Sequence, residues 1–351
     1  MLAHPESAIA ETPKTASCNS VAGQGGDGRE AQQAAAKQIG SLLKHATQTP
    51  APEYFAKVQA LADYRNDAKC VFQDGEPQLQ SIVDGVDMLL DDGNDWDVTK
   101  AGLEKVHDRF PDSALVAIIE AQFWYDYAWN ARGTGFADSI SADGNALFHD
   151  RLLRAQKILA QSKTTATAYP IWYEIAVSVS YLVGDSPIER NRLFKEGAKR
   201  YPTYLPLYYR RANYLQPRWY GDWKKMDRFI NWSTANTADK MGQSMYARLY
   251  WWVSSRMKDN ESLFRDTKAK WPRMKQGFKD LVARYPDSQT LQANFAAFAC
   301  QAGDRDEFLR QREHVTDATA IRMLSPTHSM EVCDEKYGFV GTNTPPPSLR
   351  Q

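Results

Sequence analysis

Apolar residues recur at three- and four-residue steps through most of the chain. Ile118, Ala121, Trp124 and Ala128 do so in one stretch, and Met245, Leu249 and Trp252 in another. This spacing gathers side chains onto one face of an α-helix. Period-two alternation, the mark of a half-buried strand, is nowhere sustained. The pattern predicts helices over about 29–45, from Pro52 onward, over 114–132 and over 243–257. Pro52 stands where a helix tolerates proline, at its first residue.

One string recurs where a helix closes and the next begins: GLEKVHDRFPDS, RLFKEGAKRYPTY and GFKDLVARYPDS. In each, an apolar-basic helix ends on an aromatic residue (Phe110, Tyr201, Tyr285), proline follows (Pro111, Pro202, Pro286), and a polar residue stands ready to cap the next helix. Such a turn separates units in tetratricopeptide repeats. Ile171–Tyr204 fits that template of roughly thirty-four residues, with Tyr181 late in the first helix, Gly184-Asp185 in the turn and Phe194 in the second helix. The last block repeats the layout through Phe278 and Gly303-Asp304. The prolines are too widely spaced for a perfect array, so the expected fold is all-α, an α-α superhelix of degenerate tetratricopeptide-like helix pairs. Four regions follow: a disordered tail over 1–28, acidic N-terminal helices over 29–110, the repeats over 111–315 and a largely irregular extension over 316–351.

Four further strings occur in order: WNARGTGFA from Trp129, RRANYLQPRWYGD from Arg210, YARLYW from Tyr246 and WPRMKQGFKDLVARYPDS from Trp271. Between about Pro52 and Arg312 the chain thereby resembles a bacterial family of tetratricopeptide-like proteins catalogued as a domain of unknown function. The resemblance implies a helical-repeat fold and no assigned reaction.

Formal net charge is zero, from 43 Lys+Arg and 43 Asp+Glu, but the balance is uneven. Residues 1–110 hold 17 Asp/Glu against 10 Lys/Arg, whereas 190–275 hold 20 Lys/Arg against 7 Asp/Glu. Strong charge asymmetry is therefore expected, and one further expectation is a head-to-tail dimer in which the acidic third contacts the basic region. Cys18, Cys70, Cys300 and Cys333 contain no C-x-x-C pair and are too sparse to staple a chain with an ample core, so reduced, unpaired thiols are expected. Pro5, Glu6, Glu11 and Lys14 interrupt any secretory apolar stretch, and no apolar run reaches membrane-spanning length. A cytoplasmic location is the expectation.

Motif chemistry is sparse. Gly23, Gly25 and Gly28 match a dinucleotide fingerprint without the preceding strand it requires. The run DDGNDWD lacks the glycine and glutamate of a calcium loop and reads as a turn whose aspartates cap the next helix. No zinc spacing, nucleophile elbow or P-loop is present, so neither a metal nor a cofactor is expected. Two places carry recognition chemistry instead. Trp129 and Arg132 share a helix face just before Gly133, where a helix must stop. In the second string, Pro217 ends a helix and places Arg218 and Trp219 in a turn, with Asp222 able to pair with Arg218. Arg211, Trp223 and Lys225 flank that turn. Interleaved arginine and tryptophan supply apolar area and forked donors together, as binding hot spots do. The leading expectation is a non-enzymatic module holding a partner protein or peptide of acidic surface on a concave helical face, a scaffold or a neutraliser of a toxin or effector. The alternative is nucleic-acid binding through the basic, aromatic stretch 205–275, and an enzyme is third.

Overall fold

The computed structural model describes Cys18 and residues 27–91, 95–133, 141–219, 221–258, 261–316 and 330–339. Each of the three proline strings closes its helix in the same way. The residues Phe110, Tyr201 and Tyr285 sit at φ of −129°, −130° and −130° and ψ of 54°, 65° and 66°. Each amide donates to the carbonyl four residues earlier, and the amides of Ser113, Tyr204 and Ser288 return to the three aromatic residues' own carbonyls at 3.0, 3.1 and 3.2 Å. Proline cannot continue a helix, so the chain turns there. The following cap differs, however. Ser113 and Ser288 accept from the amides of Val116 and Leu291, whereas the helix after Pro202 begins at Tyr204 with no side-chain cap. The other turn also recurs: Gly184 and Gly303 adopt φ of 84° and 80°, a left-handed conformation that glycine adopts without steric penalty.

Helices fill the intervals, and among the described residues there is no strand beyond one isolated bridge between Val71 and Pro77. In order they are α1 (Gly28–Gln48), α2 (Pro52–Asp67), α3 (Ser81–Asp91), α4 (Trp96–Arg109), α5 (Ala114–Arg132), α6 (Ala142–Ala166), α7 (Pro170–Leu182) and α8 (Pro187–Arg200). Then come α9 (Leu205–Asn213), α10 (Trp223–Met241), α11 (Ser244–Ser254), α12 (Leu263–Asp266), α13 (Trp271–Arg284), α14 (Gln289–Gln301), α15 (Arg305–Arg312) and α16 (Met330–Tyr337). The helix predicted over 243–257 stops at Ser254, because the hydroxyls of Ser254 and Ser255 bond back to the carbonyls of Trp251 and Trp252 at 2.7 and 2.9 Å and satisfy its last turn.

Odd-numbered helices α3, α5, α7, α9 and α11 pack each on the next and form one row. Helices α6, α8, α10 and α13 pair with α5, α7, α9 and α11. The arrangement is an all-α, solenoid-like stack of helix pairs, with α1 covering α2, α3 and α4 at one end and α14–α16 closing the other. One continuous apolar core runs from Ile39 in α1 to Phe298 in α14.

The first row is not bare. The segment between α2 and α3 lies against it: Arg248 on α11, wholly buried, binds Glu76 Oε1 at 2.9 Å and the Asp74 carbonyl, and Tyr209 on α9 donates to Glu76 at 2.8 Å. Farther along, Asp27 accepts from the Ser288 hydroxyl and the Thr290 amide, both at 2.7 Å, at the start of α14. Through Glu76 and Arg248 the acidic third touches the basic region within one chain.

The cysteines correct an expectation. Cys18 is bonded to Cys70 and Cys300 to Cys333. Sequence spacing conceals this because packing of α16 on α14 brings the Cα atoms of Cys300 and Cys333 to 6.0 Å. Apart from Cys18, Asp27 and Gly28, the expected tail over 1–28 lies outside the described residues, as do 317–329 and 340–351. None of the described helices is long and apolar enough to cross a membrane.

Replacing Arg248 with alanine would leave Glu76 and the Asp74 carbonyl without their buried donor. The expected loss is about 3 kcal/mol of unfolding free energy in urea titration, with residues 69–80 becoming the first site of limited proteolysis.

Candidate functional site

The turn after α9 is built by its own sequence. Leu215 and Gln216 continue bonding to Ala212 and Asn213, and Pro217 then starts a single 3-10 turn through Trp219. The amides of Trp219 and Gly221 both return to the Gln216 carbonyl, at 2.9 and 3.1 Å. Gly221 is required there, since a Cβ at this position would overlap the Leu215 carbonyl. Asp222 then caps α10 by accepting from the Lys225 amide at 2.6 Å. Across from this turn, Ser186 caps α8 and Pro187 opens it.

Between α8 and α10 these elements enclose a cavity of about 780 Å³. Its floor is aromatic, with the Phe194 ring 5.5 Å from Phe229 and 5.6 Å from Trp232. Its walls carry Arg190, Lys195, Arg211, Lys225 and Arg228, and no aspartate or glutamate lines it. Of these cations, only Lys225 has a carboxylate partner among the described residues, Asp222 at 3.2 Å. Arg190 lies over Tyr181 at 4.6 Å. Arg211 lies 4.8 Å from the Phe194 centroid and 5.7 Å from that of Phe229. Its Nη2 donates to Asn191, while Nε and Nη1 have no hydrogen-bond partner, nor has the buried indole N–H of Trp219. Burial, reinforced by Arg190, lowers the Arg211 pKa. A groove of this size, apolar beneath and uniformly cationic above, suits an occupant with apolar or aromatic area and negative charge.

Of the residues singled out in the sequence, Arg211, Trp219 and Lys225 line this cavity. Trp129 packs edge-on against Trp219 at 6.2 Å, and the Arg132 guanidinium lies 5.2 Å from the Trp129 centroid. Gly133 takes φ of 70° and ends α5 as expected. Trp129 and Arg132 adjoin Trp219 without lining the cavity, and two further residues fall elsewhere. Arg218 points away, its guanidinium donating to Asn213 Oδ1 at 3.0 Å, and the expected pairing with Asp222 is not made because Asp222 is held by Lys225. Trp223 packs on the main core instead of lining the groove. Sequence reading missed the α8 wall, Arg190 and Lys195, and the floor residue Trp232. Helical register was the available signal, since Asn191, Phe194 and Lys195 fall on one face of α8.

A second constellation, also missed, crosses the first row. Glu174, 1% exposed, pairs with Arg210 at 2.8 Å, and the Tyr204 hydroxyl lies 3.0 Å from both Glu174 and Gln80. Gln80 also donates to Asp84 at 3.2 Å, and the Gln122 amide reaches Asp87 and Asp126. Burial, and then the charge of Asp87, holds Asp126 well above the usual carboxylate range. Asp84 is pushed up to about 7, mainly by burial. Here Glu174 was the clue, a lone charge in an otherwise apolar helix that needs a buried partner. Three of the basic residues of 205–275 are matched inside the fold, Arg210 on Glu174, Arg248 on Glu76 and Lys275 on Asp304 and Glu307.

Comparison with protein families, curated proteins and solved structures gives no match.

Asp84 makes stability depend on pH. In the unfolded chain its carboxyl ionises near pH 4, but in the fold only near pH 7. Between those values the folded state holds a proton the unfolded chain has lost, so this contribution falls as pH rises through that window. Asp84→Asn, which keeps the acceptor for Gln80, is expected to raise the urea midpoint at pH 8 and leave it unchanged at pH 4.

Proposed function

We propose that the chain is a non-enzymatic recognition protein that binds an acidic segment of a partner protein in the groove between α8 and α10. The observation that carries this reading is the groove's lining, which is aromatic below, cationic on both walls and without a carboxylate. An acidic partner is steered toward such a surface and anchored by aromatic area once there. The groove replaces the broad concave face as the seat of binding, because segment 69–80 already lies against α9 and α11. Arg210, Arg248 and Lys275 are taken up by carboxylates inside the fold and do not contribute to the phosphate track that nucleic-acid binding needs. That favours a protein partner over the alternative.

The expected test is selection of peptides from a random phage-displayed heptapeptide library on the folded chain. Recovered sequences should pair Asp or Glu with an apolar or aromatic residue. The exposed pair Lys195→Glu and Arg228→Glu should abolish recovery, while Arg218→Glu, outside the groove, should not. A consensus free of acidic residues, or one indifferent to the groove variant, would sink the reading.

The two disulfides support a working place where such bonds persist, an oxidising compartment. Protein isolated with thiols trapped at lysis should resist maleimide-polymer labelling until it is reduced and unfolded. Cys333→Ser, which opens a loop closed over 33 residues of sequence, should lower stability by about 3–4 kcal/mol.

A further inference from the structure

We propose that the buried end of the groove is a carboxylate-binding subsite anchored by Arg211, and that it reads an aromatic residue with an adjacent carboxylate in the partner's segment. This rests on the groove being the recognition surface and adds which chemical group is read there. Arg211 is surrounded by everything except an anion. Phe194 and Phe229 lie against its guanidinium, Asn191 takes Nη2, and nothing accepts from Nε or Nη1. No carboxylate pairs with it among the described residues, unlike Arg210, Arg248 and Arg312, and it lies in a cavity wall that holds four other cations and no carboxylate. A desolvated cation without a counter-ion weakens a fold, so its presence in a cavity wall marks a place where stability is given up for binding.

The geometry specifies how an anion would fit. Asn191 is exposed on α8 and holds a neutral amide oxygen against Nη2, the position one carboxylate oxygen would take. Nη1 is sealed from solvent with that amide in place, and displacing the exposed Asn191 side chain would open it to the second oxygen, completing the planar end-on fork that guanidinium and carboxylate share. Trp219 adds an unpartnered indole N–H in the same wall. A single negative charge balances the single buried guanidinium. The ring of the incoming residue would lie on Phe194, Phe229 and Trp232 in offset or edge contact, and Lys195 and Arg228 at the rim would raise the local concentration of anions.

The test uses matched dipeptides, N-acetyl-Trp-Glu-amide and N-acetyl-Trp-Gln-amide, titrated into the whole chain by NMR, with 2-naphthoate as a free organic acid for comparison. The acidic dipeptide is expected to bind at least tenfold tighter than the neutral one, and that difference should vanish in both Arg211→Met and Asn191→Asp. The second variant gives Arg211 an internal counter-ion, so its melting temperature should rise above wild type while selectivity is lost. It also decides the matter should Arg211→Met fail to fold. Equal affinities, no binding of either dipeptide, or a preference that survives Asn191→Asp would overturn the proposal. Binding of 2-naphthoate without either dipeptide would overturn it too, by assigning the subsite to free organic acids. Acidic peptides selected from the library independently of Arg211 would leave the groove's recognition role standing while removing this subsite.

Discussion

A pair of helices buries only the face between them, and everything in this molecule follows from the need to cover the remaining apolar faces. Helix α7 shows the constraint at its strongest. It is buried from Pro170 to Ser180, which is possible only because α5 and α9 flank it in the row while α6 and α8 press from the other side. No layer is stable without its neighbours. Closely similar backbone at Phe110, Tyr201 and Tyr285 turns the chain in the same way at three places along the stack, and its ends are sealed by α1 and by the disulfide-linked α14 and α16.

Charge is distributed by the same logic. Helices buried on several sides favour paired ions, and several charges are matched across layers: Glu174 with Arg210, Glu76 with Arg248, Lys275 with Asp304 and Glu307, of which the Glu76 pair joins the acidic third to the basic region. Arg211 is left out of these matches. Its neighbours are rings and other cations, and no carboxylate lines the groove around it.

The helical fold was legible because its signals are local. Apolar spacing placed α5 from Ala114 to Arg132 without error, proline after an aromatic residue placed the turns, and glycine before aspartate placed Gly184 and Gly303. About half of the site was legible for a related reason: Arg211, Trp219 and Lys225 lie close together in sequence around one turn. The opposite wall on α8 and the pairing of Cys18 with Cys70 were not, because only packing of distant segments creates them. Arg218 and Trp223 misled because composition shows that aromatic and basic residues are neighbours, not which way each faces. Asp222 went to Lys225, which the first turn of α10 puts within reach of its cap, and not to Arg218.

An open stack of helix pairs behaves as a spring: each interface gives slightly, and small displacements add along its length. Here the chain ties its own ends together. Asp27, immediately before α1, grips the start of α14 through Ser288 and Thr290, and Glu76 is held by Arg248 on α11. Such ties turn the spring into a closed frame, in which a load on one layer is shared by layers far away in sequence. Helix α9, which carries Arg211, is itself held to Glu76 through Tyr209, so the groove shares a layer with one of these ties.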